Sequence, residues 1–262
     1  MRTTHIVDAA RRSLGPVGAC LPVSFTKTPA ADLQRNAVRR LEGAGYQAIW
    51  TNEVIGKDAM VQLAVLLAAT ERMAFGTSIA NIWVRQPQTL HAAAAQLAQA
   101  FPGRFVLGLG VGYPQQAAAV GREFGTPRAT MRDYLEKMSE PTSPPAPDVT
   151  FPRIIAAIGP KMLALAGEIA DGALPFVQSV ESTAQARRTL GPDKLLVVGV
   201  AIEANPVVSV VVDNVNQHLA AGADHVTLFL PIETDFAAGI DQLEQLAPAR
   251  VGYANSSYST LG

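Results

Sequence analysis

Along the chain, short apolar runs give way to small-residue turns. Longer stretches follow, with apolar residues three and four apart. The short runs predict strands at residues 17–23, 47–51, 73–80, within 104–113, and at 153–158, 172–177, 195–202 and 225–230. The longer stretches predict helices from residue 31 to Gly43 and Gly45, at 58–70, 88–100, from Thr126-Pro127, and at 161–170, 181–190, 207–221 and 236–246. In the first of these, Leu33, Ala37, Leu41 and Ala44 share a face, with Arg35, Arg39, Arg40 and Glu42 mostly opposite. Segment 207–221 contains the strand-like VVSVVV. Val208, Val212, Val215 and Leu219 nevertheless keep helical spacing, so a helix is favoured there.

Eight strands alternating with eight helices argue for a parallel sheet with helical cover. The fold class is α/β, and eight repeats close most simply into a single TIM-like (βα)8 barrel; an open doubly wound sheet is the alternative. The barrel is expected over residues 17–250. A loosely packed lead-in over 1–16 precedes it, and a frayed tail over 251–262 follows. Residues 139–152, SEPTSPPAPDVTFP, form a stiff extended connector. The alternation resumes unchanged beyond it, so it is read as part of one domain.

Composition narrows the function classes. With 262 residues, 48% hydrophobic and 16% charged, the chain can bury a full core. A net charge of -1 with no basic stripe argues against a nucleic-acid partner. No apolar run approaches about 18 residues and no Lys/Arg-rich amphipathic helix is present, so no membrane partner is expected. The N-terminus lacks the apolar core of a signal peptide. The single Cys20 excludes an internal disulfide and suits a reducing cytoplasm. His5, His91, His218 and His225 are scattered, so no metal site is expected.

Candidate chemistry collects where strands end. Gly108, Gly110 and Gly112 punctuate RFVLGLGVGY, and a strand ending this way lets a large flat group approach its backbone. The alternative is glycine serving packing alone. The spacing is GxGxG rather than GxGxxG, and Pro114 follows, which counts against a Rossmann fingerprint. In Ala157-Ile158-Gly159-Pro160-Lys161-Met162, a strand ends, Gly159 turns the chain and Pro160 opens a helix. Free N–H groups there make a phosphate site, helped by Lys161, unless this is a plain βα loop. Glu53, beside Asn52 at the end of the second strand, is a candidate general base or cofactor-ring partner; a solvated loop acid is the bland alternative. Tyr113 is a candidate proton donor or a rim aromatic. No nucleophile elbow, Walker loop or Ser/His/Asp order is present.

Taken in order, GTSIANIW, FPGRFVLGLGVG and AAIGPKMLALAGEIADGALP resemble the bacterial luciferase-like monooxygenase superfamily. The nearest likeness is to its actinobacterial branch of coenzyme F420-dependent oxidoreductases. The resemblance runs from about residue 17 to 246. It implies a barrel with a deazaflavin or flavin at the C-terminal face, and a non-proline cis peptide, here Ser78–Ile79, behind the ring. It assigns cofactor contacts to Asn52, Ser78, Ile79, Asn81, Gly110, Val111, Gly112 and Ala157 to Met162, and catalytic roles to Glu53 and Tyr113. Two departures stand out. The His and Glu of related sugar-phosphate dehydrogenases are replaced by Val54 and Tyr113, which counts against glucose-6-phosphate. The excursion after the seventh strand is cut to Ala204-Asn-Pro206.

The resemblance implies hydride transfer between coenzyme F420 and a small organic substrate, with Lys161, Arg85 and Lys57 as possible basic groups for the coenzyme tail. FMN-dependent monooxygenation, served by a separate flavin reductase, is the second expectation. A non-catalytic flavin-binding barrel is the third. The Ala-rich helices at 59–70 and 88–100 would suit a homodimer face.

Overall fold

The computed structural model describes residues 2–54, 56–177 and 179–253. Its strands are β1 (Val17–Cys20), β2 (Ala48–Thr51), β3 (Ala74–Thr77), β4 (Ala80–Asn81), β5 (Phe105–Gly110), β6 (Arg153–Ala156), β7 (Gly172–Leu174), β8 (Leu195–Ala201) and β9 (His225–Phe229). All pair in parallel, in the order β3-β2-β1-β9-β8-β7-β6-β5-β4. Pairing of β3 with β5, with Phe75 opposite Phe105, closes the ring. β3 and β4 are two halves of one stave, so the barrel has the eight staves expected of it.

The helices are α1 (Arg2–Leu14), α2 (Ala31–Gly43), α3 (Ala59–Leu67), α4 (Pro87–Ala100), α5 (Pro114–Ala118), α6 (Pro127–Met138), α7 (Pro160–Ile169), α8 (Val180–Leu190), α9 (Val208–Ala220) and α10 (Phe236–Gln245). Eight of them cover the staves, and α9 confirms the helical reading of the valine-rich segment. The connector expected at 139–152 contains neither helix nor strand and includes a cis Ser143–Pro144 bond. The tail lies outside the described residues from 254 onward. Among the described residues, no helix is long and apolar enough to cross a membrane.

Strand residues alternate between two apolar layers, as the pleat requires. Ala19, Ile49, Phe75, Leu107, Ile155 and Val226 pack outward under the helices. Cys20, Trp50, Ala74, Val106, Ile154 and Val197 fill the interior. The largest of these is Trp50. A Cβ on Gly76 would fall 2.2 Å from its ring, so the glycine on β3 exists to admit the indole. The Trp50 Nε1–H donates to His225 Nε2 at 3.0 Å. Nδ1 of His225 bonds the Gly15 carbonyl at 2.7 Å. One nitrogen accepts and the other donates, so the ring is held neutral in a single tautomer.

Where the sequence predicts a loose lead-in over 1–16, the described residues from Arg2 to Leu14 form a helix. α1 closes the N-terminal end of the barrel, with Val7, Ala10 and Leu14 joining the interior layer. Their spacing of three and four places one stripe on the helix. Arg11 ties the helix down. It donates to Asp224 at 3.1 Å and to the carbonyls of Pro192 and Lys194 at 2.6 and 3.1 Å. Asp224 also receives Arg187 at 2.7 Å.

Burial pushes the His225 pKa down to about 4, against the backbone carbonyls that favour its charged form. The fold therefore favours the neutral ring. Unfolded chains take up the proton first as pH falls below about 6.5, so stability should decline from there to about pH 4, by roughly 3 kcal/mol. Urea unfolding of the wild type and His225→Gln across pH 4–7 measures this. The variant should lose most of that slope; equal slopes would show that His225 does not carry it.

Candidate active site at the C-terminal mouth

Below its mouth the third stave breaks. The Ser78–Ile79 peptide is cis, as the family resemblance implies, and it separates β3 from β4. Local bonds hold both sides of the break. Ser78 N–H donates to Thr51 O at 2.7 Å, and Glu53 N–H donates to Ile79 O at 3.1 Å. Thr77 stitches the gap to β5: its hydroxyl donates to Gly108 O at 2.7 Å and accepts from Gly108 N–H at 2.9 Å.

This break corrects the reading of the glycines. A Cβ on Gly108 would lie 2.0 Å from Thr77 O, and one on Gly110 would lie 2.3 Å from Ile79 Cδ1. At Gly112, φ is +56°, and a Cβ would meet the Gln116 carboxamide at 1.9 Å. The bare faces of all three are taken by the protein itself, so they do not form an open cradle for a flat ring. The packing alternative holds here. Pro114 does not interrupt a helix either. It is the first residue of α5, where its missing N–H costs nothing.

Glu53 is buried, with 3% of its surface exposed. Its Oε1 accepts from Ala59 N–H at 2.9 Å and from Arg85 Nη1 at 2.6 Å, and its Oε2 accepts from Asn81 N–H at 2.9 Å. Arg85 also meets Asp58 at 2.5 Å. Burial works against ionisation of Asp58, but bonds from Arg85 and the Val61 N–H hold its carboxyl below the usual range. The Glu53 carboxylate is thus engaged by β4, by the start of α3 and by a guanidinium. It is placed as a brace for the mouth. Arg85, considered from sequence for a coenzyme tail, is occupied by these two acids instead.

Residues at the ends of the third and fourth staves stand around this brace. Asn81 is buried; its Oδ1 accepts from Trp83 N–H at 3.0 Å. The Trp83 indole N–H donates to Val111 O at 2.7 Å, which ties the end of the fourth stave to the third. Tyr113 lies at the rim with 70% exposure, and its backbone N–H donates to Gln116 Oε1 at 2.9 Å. Sequence reasoning did not find Thr77, Trp83 or Gln116. Only Gln116 left a local signal, three residues after the helix cap.

Asn52 accepts from Lys57 Nζ at 2.7 Å. Cys20 lies close enough that Lys57 partly offsets the burial that pushes its thiol up to about 12. A thiol so shifted stays protonated and inert. Lys57 therefore belongs to the β1–β2 side of the mouth, not to the turn at 157–162.

That turn sits after β6. Ala157 is buried, and its N–H donates to Leu174 O at 3.3 Å. Ile158 is 86% exposed. Gly159 caps α7 without a side-chain bond, and Pro160 occupies the first helical position. Met162 and Leu163 N–H both bond Gly159 O, at 3.1 and 3.0 Å. A Cβ on Gly159 would meet nothing within 4 Å. An uncapped helix start with open space before it, and Lys161 exposed in its first turn, fits a phosphate group. Among the described residues, no group of three or more metal-ligating side chains is assembled.

Comparison with known proteins places the chain in a family. A protein of Mycobacterium tuberculosis named "Putative coenzyme F420-dependent oxidoreductase Rv3520c" is 30% identical over 174 residues, covering 54% of this chain and 50% of its own. The 5,10-methylenetetrahydromethanopterin reductase of Methanolobus tindarius is 27% identical over 151 residues, covering 51% and 46%. The chain thus spans about half the length of these curated relatives. Among solved structures, an F420-dependent secondary alcohol dehydrogenase in complex with an F420-acetone adduct superposes with a TM-score of 0.73 at 15% identity, covering 90% of this chain and 99% of that one. The FMN-bound oxygenating constituent of 3,6-diketocamphane monooxygenase from Pseudomonas putida gives 0.59 at 14% identity, covering 72% and 66%. The family model described as luciferase-like monooxygenase matches residues 17–191, two thirds of the chain. The chain belongs to the luciferase-like monooxygenase family.

Proposed function

We propose that this protein is a coenzyme F420-dependent oxidoreductase that moves hydride between the deazaflavin and a small organic substrate. The observation that carries the reading is the α7 start, open before Gly159 and flanked by Lys161, on the same mouth as the Ser78–Ile79 bond. The curated relative named for coenzyme F420 and the F420-bound neighbour favour the deazaflavin over a flavin. Bound there, the coenzyme would supply a ring carbon that gives or takes two electrons as hydride.

The chain's own residues supply position and proton. The α7 N–H groups and Lys161 hold the phosphate and so fix the distance from tail to ring. Glu53 acts through Asn81 and Arg85. It keeps β4 and the start of α3 in register beside the break, as a positioning residue and not a proton relay. Tyr113 remains as the substrate-side donor, because its phenol stands exposed at the rim. The FMN-dependent monooxygenase is the second reading, favoured by the FMN-bound neighbour of the same fold.

Paired fluorescence titrations with oxidised coenzyme F420 and with FMN test the choice. Selective binding of the deazaflavin is expected. Selective FMN binding would transfer the assignment to a monooxygenase supplied by a reductase, and binding of neither would leave a non-catalytic barrel.

Gly159→Leu tests the phosphate turn. The backbone there is extended, with φ −112°, so the side chain enters open space without strain. Affinity should fall at least tenfold with an unchanged melting temperature; unchanged affinity would remove the turn from the site.

Glu53→Ala leaves Arg85 with Asp58 alone and removes the acceptor of the buried Ala59 and Asn81 N–H groups, and should cost about 2–4 kcal/mol of stability. Chemical denaturation reads this directly. Tyr113→Phe should leave stability within about 0.5 kcal/mol while lowering turnover.

A further inference from the structure

The mouth is divided by chemistry. On the side of β2 to β5, Glu53, Thr77 and Asn81 are buried polar groups. On the side of β7 to β9 the uppermost inward positions are apolar. Leu174 belongs to the interior layer, so Phe176, two residues on, points the same way, and a bridge to Gly199 keeps it in line with its stave. Gly199 follows Leu195 and Val197 on the inner face of β8. A Cβ there would fall 2.8 Å from the Phe176 ring and 3.1 Å from that of Phe229. Phe229 ends β9 and packs against the interior layer. The two rings meet edge to face, centroids 5.2 Å apart. They form an aromatic floor over Gly199, and Phe176 keeps 44% exposure although it faces inward.

A cavity of about 520 Å³ adjoins this floor. Phe176 and Ala201 line it from the staves, and Val207 and Val210 from the start of α9. Both valines are exposed, so neither serves the core that Val211 and Val215 of the same helix reach. Among the described residues, no lysine or arginine lines the cavity, and one carboxylate, Glu203, does. Such a lining favours a neutral molecule over an anion, and the exposed apolar area gains by being covered.

Under the reading proposed above, the coenzyme runs from the α7 start, after β6, to the break in the third stave. Only β5 stands between those two staves in the ring. β7, β8 and β9 lie outside that arc. We infer that this side receives the body of the substrate, and that the substrate is a neutral apolar molecule, an aryl or branched-alkyl compound rather than a sugar, a phosphate or a carboxylate. Its role as substrate rests on the coenzyme reading. Its seat does not, because Phe176, Phe229 and α9 lie outside the coenzyme's arc.

Calorimetric titration with 4-phenyl-2-butanone is the test. 2-Butanone is the control without an apolar body, and 4-phenylbutanoate is the charged counterpart. The aryl ketone should bind the protein both alone and loaded with coenzyme F420, with each control weaker by about tenfold or more. Phe176→Ser should weaken the ketone by about tenfold and leave coenzyme F420 affinity unchanged. Val210→Glu is the second variant. That side chain is exposed on α9, so the fold tolerates the change, and the added charge should weaken the ketone with an unchanged melting temperature. Absence of ketone binding, equal affinity for either control, or indifference to both substitutions would overturn the inference. Displacement of the ketone by coenzyme F420 would also overturn it, by putting the coenzyme itself on the Phe176–Phe229 pair. Ketone binding by a protein that does not bind coenzyme F420 would support the seat and overturn only the coenzyme reading.

Discussion

The mouth of the barrel depends on one buried carboxylate. Glu53 ends the second stave, where a charged group has lost nearly all its water, and a carboxylate there is tolerable only if its lone pairs are answered. Three donors answer them: a backbone N–H from β4, a backbone N–H from the start of α3, and the Arg85 guanidinium. Each comes from a different part of the chain, so the pairing fixes three elements at once. Arg85 in turn carries Asp58, whose other oxygen caps α3. The third stave can be broken at Ser78–Ile79 without loss of order because its upper half hangs from this carboxylate and its lower half from Thr77.

The barrel itself was legible because its signal is periodic. Apolar runs four to seven residues long, alternating with helical spacing, survive in the sequence whatever their neighbours do. Even the valine-rich α9 followed its spacing rather than its β-propensity, since Val211 and Val215 had a core face to reach. α1 was missed although Val7, Ala10 and Leu14 have the same spacing. A helix that precedes the first strand has no place in the repeat, and only the open end of a closed barrel gives it something to cover. The break in the third stave was legible through the family resemblance alone; nothing in the periodicity of residues 73–81 marks it.

The glycines show what a sequence withholds. A missing side chain says that something comes close, not what comes. At Gly76 it is Trp50, at Gly110 it is Ile79, at Gly108 the Thr77 carbonyl and at Gly112 the Gln116 side chain. Each partner is distant in sequence or fixed by a turn, so the identity of the occupant is a tertiary fact. Gly159 is the contrast. Its side is empty and its backbone unstrained, so its lack of a Cβ is explained by no neighbour in the chain. A glycine whose space is filled is a packing residue, and one whose space is open at a helix start is a candidate for ligand contact.

The same comparison of supply and demand separates the cations of the mouth. Arg85 and Lys57 were alike in sequence, two basic residues near strand ends. In the fold, Arg85 is surrounded by two carboxylates, and its planar fork suits that shared pairing. Lys57 stands next in sequence to Asp58 and four residues from Glu53, yet it pairs with neither, because both acids turn toward Arg85. A flexible ammonium tolerates a single amide partner where a guanidinium would leave more donors unmet. The two acids carry two negative charges against the single positive charge of Arg85, so Lys57 completes the charge balance of the cluster without joining an ion pair. The α7 start, by contrast, presents its positive helix end on the β6 side with no acid in its first turn.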